Sequence, residues 1–429
     1  MPVLSRVFPR WLALALAVAA VPMTSSMAPS PSAWAAASPD NLPPEIAAHF
    51  TPEDVARGRT YTHGRYWLFV AGTLLRLALL SFLVLTPASA ALRNLAVRLA
   101  PAHPALAVAA YIALLAVAFE ILTLPLGYYA GFVREHAFGL STQTAGTWLL
   151  DRAKGAAISV ALAVLLGSLL ALLWRRYPGR WVLPAWVLGG LVVVVLVALA
   201  PVVIDPLFNT IRPLRDSALR DRALALADRA GLAVEQVYEA DASRRTKKGN
   251  AYFTGLGATK RIVLYDNLVA RSDPAAVELV LAHEMGHWTH AHIWKGIGLA
   301  LAGLAVLLWC GARVLAWAAE RRAFHLTGPA DIAGLPLFLL VLFVLNLVGL
   351  PIQNAVSRRF ERQADRTSLE LTGNPAAFIR AEVDLARSNL ADLNPPRWIV
   401  QLLYTHPPVA ERIRMADAFA AAASPPPPR

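Results

Sequence analysis

The sequence predicts a mostly α-helical, polytopic membrane protein in which a polar segment with a small β-sheet is set between apolar helices. Three observations carry this. Of the 429 residues, 57% are hydrophobic although 16% are charged, and the mean hydropathy of +0.49 is too high for a soluble chain of that charge content. Six apolar runs, at 66–85, 105–126, 156–174, 182–203, 297–317 and 335–352, each approach the roughly 20 residues that cross a bilayer. Between the fourth and fifth runs, residues 205–294 turn polar and include short β-like pieces.

Taken in order, residues 1–37 place Arg6 and Arg10 ahead of an apolar run at 11–23 and then Ala33-Trp34-Ala35, so they read as a signal peptide or an uncleaved signal anchor. Residues 40–205 form an N-terminal membrane domain with four spans, opened by a helix that Thr51 caps and Pro52 starts. Residues 206–416 form a second domain that includes the last two spans. In it a helix at 217–230 stops at Gly231, and strands follow at 236–238, 251–253 and 261–265. A helix capped by Asp273 with Pro274 at its first position comes next, and after the last span a helix at 354–372 ends at Gly373. Residues 417–429 read as a disordered, proline-rich tail.

The formal net charge is +12. No basic run is interleaved with aromatics, so nucleic acid is excluded as a partner and the bilayer's anionic headgroups are the expected counterpart. Arg93 and Arg98, then Arg175, Arg176 and Arg180, then Arg321 and Arg322 fall in loops on one side of a six-span topology. The positive-inside rule makes that side cytoplasmic and puts 205–294 and the C-terminal region outside. Arg134, Arg152 and Lys154, in the loop at 127–155, run against it. Arg76 and Glu120 lie within spans and should face a neighbouring helix or a wet interior. Cys310 stands alone, so no internal disulfide forms. No internal repeat is present, which weighs against a transporter.

The chemistry centres on His283-Glu284-Met285-Gly286-His287. On a helix, His283 and His287 leave one face a turn apart and can hold one zinc ion, with Glu284 beside them as a general base. Glu361 and Asp365 are also four apart on a predicted helix, so one carboxylate can complete the ligand set while the other supports a ligand from behind. His290 does not extend the motif, because the metzincin pattern wants glycine there and histidine at Ile293. His136 reads as a structural histidine.

These residues carry a resemblance. His283-Glu284-Met285-Gly286-His287-Trp288, followed by Ser357-Arg358-Arg359-Phe360-Glu361 and Ala364-Asp365, resembles the type I CAAX prenyl proteases, a family of integral-membrane zinc metallopeptidases of the gluzincin type. Leu124-Pro125, Tyr128-Tyr129, Phe132-Val133, Glu135, Pro206-Leu207-Phe208-Asn209, Asn250 to Gly255, Thr405-His406-Pro407-Pro408 and Glu411-Arg412-Ile413 extend it over about residues 44–416. The likeness departs at the N-terminus, where a signal-like segment replaces a clear first span.

The resemblance implies one Zn2+ per chain on His283, His287 and Glu361, with Glu284 as catalytic base. It gives Asp365 a ligand-orienting or proton-donor role, and it leans His406 and Arg412 over the cleft as oxyanion donors. Asn250, Ala251, Tyr252 and Phe253 match the strand against which substrate lies, and His292 matches a recurrent position without an assigned role. The expected function is a membrane-embedded metalloendopeptidase acting on peptide or membrane-associated protein substrates. Its expected place is a bacterial cytoplasmic (inner) membrane, with the catalytic domain on the periplasmic side. The alternatives are a quality-control protease for membrane or exported proteins and a catalytically silent scaffold or transporter; the complete set of site residues argues against silence. Prenylated substrates need a Cys-a-a-X signal and a prenylating partner, and neither is shown by the sequence.

Overall fold

A computed structural model describes residues 42–234, 236–256 and 261–423. The expected signal segment at 1–37 lies outside these residues. Six helices among the described residues are long and apolar enough to cross a membrane, and they match the six runs read from the sequence. In the N-terminal half, α1 (Pro52–Leu85), a shorter amphipathic α2 (Ala88–Leu99), α3 (Pro104–Tyr128), α4 (Ala145–Arg176) and α5 (Val182–Leu199) follow one another. α3 and α5 each run on through a π-helical turn, at Tyr129–Val133 and Ala200–Ile204. Thr51 starts α1 as expected: its hydroxyl accepts from Asp54 N at 3.1 Å while the Asp54 carboxylate accepts from Thr51 N at 3.1 Å.

The polar domain begins with β1 (Ile211–Pro213), α6 (Ser217–Arg229), β2 (Val237–Ala240), β3 (Ala251–Thr254) and β4 (Arg261–Tyr265). The sheet order is β1-β2-β4-β3, with β2 and β4 parallel and both outer strands antiparallel, so β3 is an edge. Three residues are too few for a periodic signal, and β1 escaped the sequence reading for that reason. Leu226, Val237, Ile262, Leu264, Leu281 and Met285 fill the core between this sheet, α6 and α7 (Pro274–Thr289). α8 (His292–Ala319) then crosses back.

α9 corrects one expectation. It is a single helix, Leu335–Thr372, with no break between the last span and the segment expected to begin at 354. Pro351 removes one backbone donor inside it without stopping it. At 38 residues the helix is about 57 Å long, well beyond a hydrocarbon core of about 30 Å. Its apolar half leaves Val348 and Ile352 70% and 71% exposed, as on a surface that faces lipid. Its polar half reaches into the second domain. Gly373 stops it in the left-handed conformation, φ 62°.

α10 (Pro375–Ser388), α11 (Arg397–Leu403) and α12 (Val409–Ala423) close the chain. Residues 417–423, expected in the tail, continue α12, while 424–429 lie outside the described residues. Ile46, Phe50 and Val55 pack against Val383, Leu393 and Ile413, which ties the entrance of α1 to the C-terminal helices. The charges that ran against the topology all have internal partners. Arg134 donates to the Tyr61 carbonyl, Arg152 pairs with Glu120, and Lys154 donates to the Leu207 carbonyl at 3.1 Å. Glu120 thus faces a neighbouring helix as expected, and Arg76 is exposed.

α7 and α9 approach closely at Gly286. A Cβ there would sit 2.8 Å from Ala364 Cα and 3.1 Å from the Ala364 carbonyl oxygen. Backbone cannot yield as a side chain can. Gly286→Ala is therefore expected to force the helices apart, destabilising the protein by about 1–3 kcal/mol and weakening metal binding with it. Thermal unfolding of the zinc-free protein and zinc affinity check this; an unchanged pair of values would contradict the packing.

Candidate active site

α7 is built to carry two imidazoles. Asp273 caps it, accepting from Ala275 N at 3.1 Å, and Pro274 supplies its first turn. One face buries Leu281, Ala282 and Met285 completely. His283 and His287 leave another face towards α9, where Ser368 Oγ donates to the Leu279 carbonyl at 2.9 Å and holds the two helices in register.

Three side chains converge there. His283 Nε2 lies 3.1 Å from His287 Nε2 and 3.2 Å from Glu361 Oε2, and His287 Nε2 lies 3.5 Å from Glu361 Oε1. Ligands bound tetrahedrally at about 2.0–2.1 Å stand about 3.3 Å apart, so the triangle has the size zinc requires. Two further observations favour a cation. Glu361 Oε2 is buried and in hydrogen-bond line with nothing, although imidazole nitrogens of His283 and His406 are each 3.2 Å away. The two Nε2 atoms also face each other, so that once neither carries a proton both lone pairs are directed to one point. His283, His287 and Glu361 are the group among the described residues able to hold a metal ion.

The ligands are held from behind. His283 Nδ1 is 2.8 Å from Asp365 Oδ1. Asp365 is fully buried, and Arg412 grips both of its oxygens, with Nε donating to Oδ2 at 2.9 Å. A third carboxylate, Glu382 on α10, pairs with the same guanidinium. Burial pushes the Glu382 carboxyl up to about 7, against the pull of Arg412. Burial disfavours charge on His283, yet Asp365 and Glu361 outweigh it and hold the metal-free imidazole up at about 10.

This arrangement departs from the sequence expectation for two residues. Arg412 lines the cavity with His406, but its guanidinium is paired with Asp365 and Glu382 instead of standing free. Asp365 likewise faces His283 and Arg412 with both oxygens, which leaves the proton-donor option without a free atom. His406 does stand over the centre, its side chain 60% exposed and its Nε2 3.2 Å from Glu361 Oε2, with Nδ1 2.9 Å from Thr405 Oγ1.

Glu284 points towards the sheet. Its Oε2 accepts from Phe253 N at 3.2 Å. Burial raises its carboxyl above the usual range, and the two imidazoles only partly offset this. Tyr265 N donates to the Asn250 carbonyl at 3.0 Å, so by alternation the main-chain groups of Ala251 and Phe253 face the free edge of β3. Tyr252 is engaged elsewhere, donating to Asp205 at 3.2 Å, and the Phe253 ring stacks on Trp288 at 5.0 Å. Asn250, Tyr404, His406 and Arg412 share the lining of a cavity of about 710 Å3.

Sequence reasoning passed over Glu382 and Gln363. Glu382 sits on the apolar stripe of α10 with Phe378, Ala381 and Leu385, and a lone carboxylate on such a face was its available signal. His136 is structural as expected, with its ring nitrogens 2.8 and 2.7 Å from the carbonyls of Phe132 and Gln143.

Comparison with known proteins agrees with this geometry. Residues 213–420 match the model of peptidase family M48, and residues 35–210 match the CAAX prenyl protease N-terminal model, described as five membrane helices. The uncharacterized metalloprotease YhfN of Bacillus subtilis is 32% identical over 375 residues, covering 86% of this chain and 87% of that protein. CAAX prenyl protease 1 of Saccharomyces cerevisiae is 29% identical over 323 residues, covering 72% and 71%. The crystal structure of S. mikatae Ste24p superposes with a TM-score of 0.77 at 26% identity, covering 95% of this chain and 97% of the other. With six candidate spans among the described residues, a mixed four-stranded sheet and a His-His-Glu group, the chain belongs to peptidase family M48 and is an integral-membrane zinc metalloprotease of the type I CAAX prenyl protease kind.

Proposed function

We propose that this protein is an endopeptidase that cleaves extended peptide segments, with His283, His287 and Glu361 holding zinc and Glu284 as general base. The observation that carries this is the triangle of two Nε2 atoms and one carboxylate, edged at 3.1, 3.2 and 3.5 Å, with Glu284 adjacent. Bound there, zinc would polarise the scissile carbonyl and acidify the attacking water towards about pH 7. Glu284, anchored through Oε2 on Phe253 N, takes the proton on its carboxylate and returns it to the leaving amine. Its raised pKa suits that transfer. His406 donates to the oxygen on which charge develops. Asp365 fixes the ring of His283, and Arg412 and Glu382 fix Asp365, so these three act through a ligand.

Substrate lies as an added strand on the free edge of β3, bonded by the main-chain groups of Ala251 and by the Phe253 carbonyl, the Phe253 N–H being held by Glu284. Main-chain bonding reads sequence loosely. The names of the eukaryotic relatives point to processing of CAAX proteins, while the edge strand itself selects an extended backbone and requires no lipid. The loop arginines support a centre on the periplasmic side of a bacterial inner membrane.

Three outcomes are expected. In the detergent-purified full chain, Glu284→Gln should retain zinc and lose cleavage of a peptide library by about 10²–10⁴-fold; cleavage at the wild-type rate would overturn the assignment. Peptides N-methylated at alternate backbone positions near the scissile bond should be cut poorly, whereas equal cutting would remove β3 as the substrate strand. The third concerns protons. Metal-free His283, held at about 10, is protonated at neutral pH and must release its proton to bind zinc. Apparent zinc affinity should therefore rise with pH, by about tenfold per unit between about pH 7 and 9. A flat profile in chelator competition would contradict the buried His283–Asp365 pairing.

A further inference from the structure

The two imidazoles of the centre are held from behind by different chemistry. His283 Nδ1 faces the carboxylate of Asp365. His287 Nδ1 instead lies 3.0 Å from Nδ1 of a second imidazole, His292, whose Nε2 is 2.9 Å from Gln363 Oε1. The His292 ring is stacked on Phe360, with centroids 4.3 Å apart and planes 10° apart. Phe360, Gln363 and Thr367 share one face of α9, and Thr367 Oγ1 is in turn 2.9 Å from His290 Nε2. Glu361 and Asp365 occupy the adjoining face.

The backbone departs from helix to make this contact. α7 ends at Thr289, and Ala291 takes the left-handed conformation at φ 55°, ψ 35° before α8 begins at His292. On a continued helix, residues five apart point about 140° away from each other. The turn swings His292 back over His287. Alanine adopts such a conformation rarely, so the surrounding contacts must hold it there.

If His287 binds zinc through Nε2, as our reading of the centre has it, every proton behind it has one place. Nε2 presents a lone pair, so the ring proton of His287 is on Nδ1 and donates to His292 Nδ1. His292 must then accept at Nδ1 and carry its own proton on Nε2, which donates to Gln363 Oε1. Any other assignment sets donor against donor or lone pair against lone pair.

We propose that His292 is the positioning residue of His287, and that Gln363 fixes the His292 tautomer, so that a neutral two-step relay orients one zinc ligand while a carboxylate orients the other. The contribution of His292 is the acceptor atom at Nδ1. Its removal unfixes the His287 ring and lowers zinc affinity.

Side-chain amides separate this role from packing. In His292→Asn the amide oxygen can take the place of Nδ1 and still accept from His287. In His292→Gln it reaches the place of Nε2 and leaves His287 without an acceptor. Both lose the stack on Phe360. Zinc affinity of the full chain in detergent, measured by chelator competition, should fall by about 10–100-fold in His292→Gln and His292→Ala, and stay within about threefold of wild type in His292→Asn. Gln363→Leu should also weaken binding, by less than His292→Ala. Thermal unfolding of the zinc-free proteins reports folding separately. Equal losses in the Asn and Gln variants, or no loss in any variant, would overturn the relay and leave the centre intact. A wild type without zinc would instead bring down the reading of the centre itself.

Discussion

Everything at the centre depends on how closely two helices approach. α7 brings two histidines and α9 brings a carboxylate ligand and its neighbours, and they meet only because Gly286 lets α7 settle against the backbone of Ala364. A side chain of one carbon at that position would occupy space that backbone already fills. The contact joins the soluble core to the membrane: α7 packs its apolar face on the sheet, while α9 runs unbroken from the last span. A metal bound there would link two elements about 80 residues apart, adding its own binding energy to the association of the domain with the bilayer helices.

Around this contact the charges are arranged to orient, not simply to attract. His283, Asp365, Arg412 and Glu382 form a buried series in which each member is gripped by the next. Such groups carry a large desolvation penalty, and their mutual attraction does little more than offset it. The gain is geometric, since a ring with a fixed partner behind it presents its other nitrogen in one direction. The neutral relay behind His287 achieves the same end without adding charge. Only Glu361 therefore brings a negative charge to the ligand triangle, with Asp365 countered by Arg412.

Much of this was legible in the sequence because the signals were local. Span lengths, the cap at Thr51, the Asp273-Pro274 start, the Gly373 stop and the spacing of His283 with His287 are set by residues a few positions apart. What was not legible depends on long-range geometry. Nothing near Arg412 announces that two carboxylates will enclose it, so the resemblance alone placed it over the cleft. Glu382 and Gln363 belong to no motif and acquire meaning only when α9 lies against α7 and α12. The join before residue 354 was missed because the apolar run stops at Ile352 and the composition turns polar, while the helix itself continues unbroken. β1 is a strand by virtue of its partner β2, not its composition.

The most direct test of the centre is zinc K-edge X-ray absorption on the detergent-purified, zinc-loaded chain. The geometry calls for two imidazole nitrogens and oxygen donors at about 2.0–2.1 Å with no sulfur, because His406 approaches Glu361 but stands outside the ligand triangle. Three imidazoles would mean that His406 is a ligand and that the oxyanion role falls elsewhere. A spectrum with fewer than two would contradict the convergence of His283 and His287 on which the account rests.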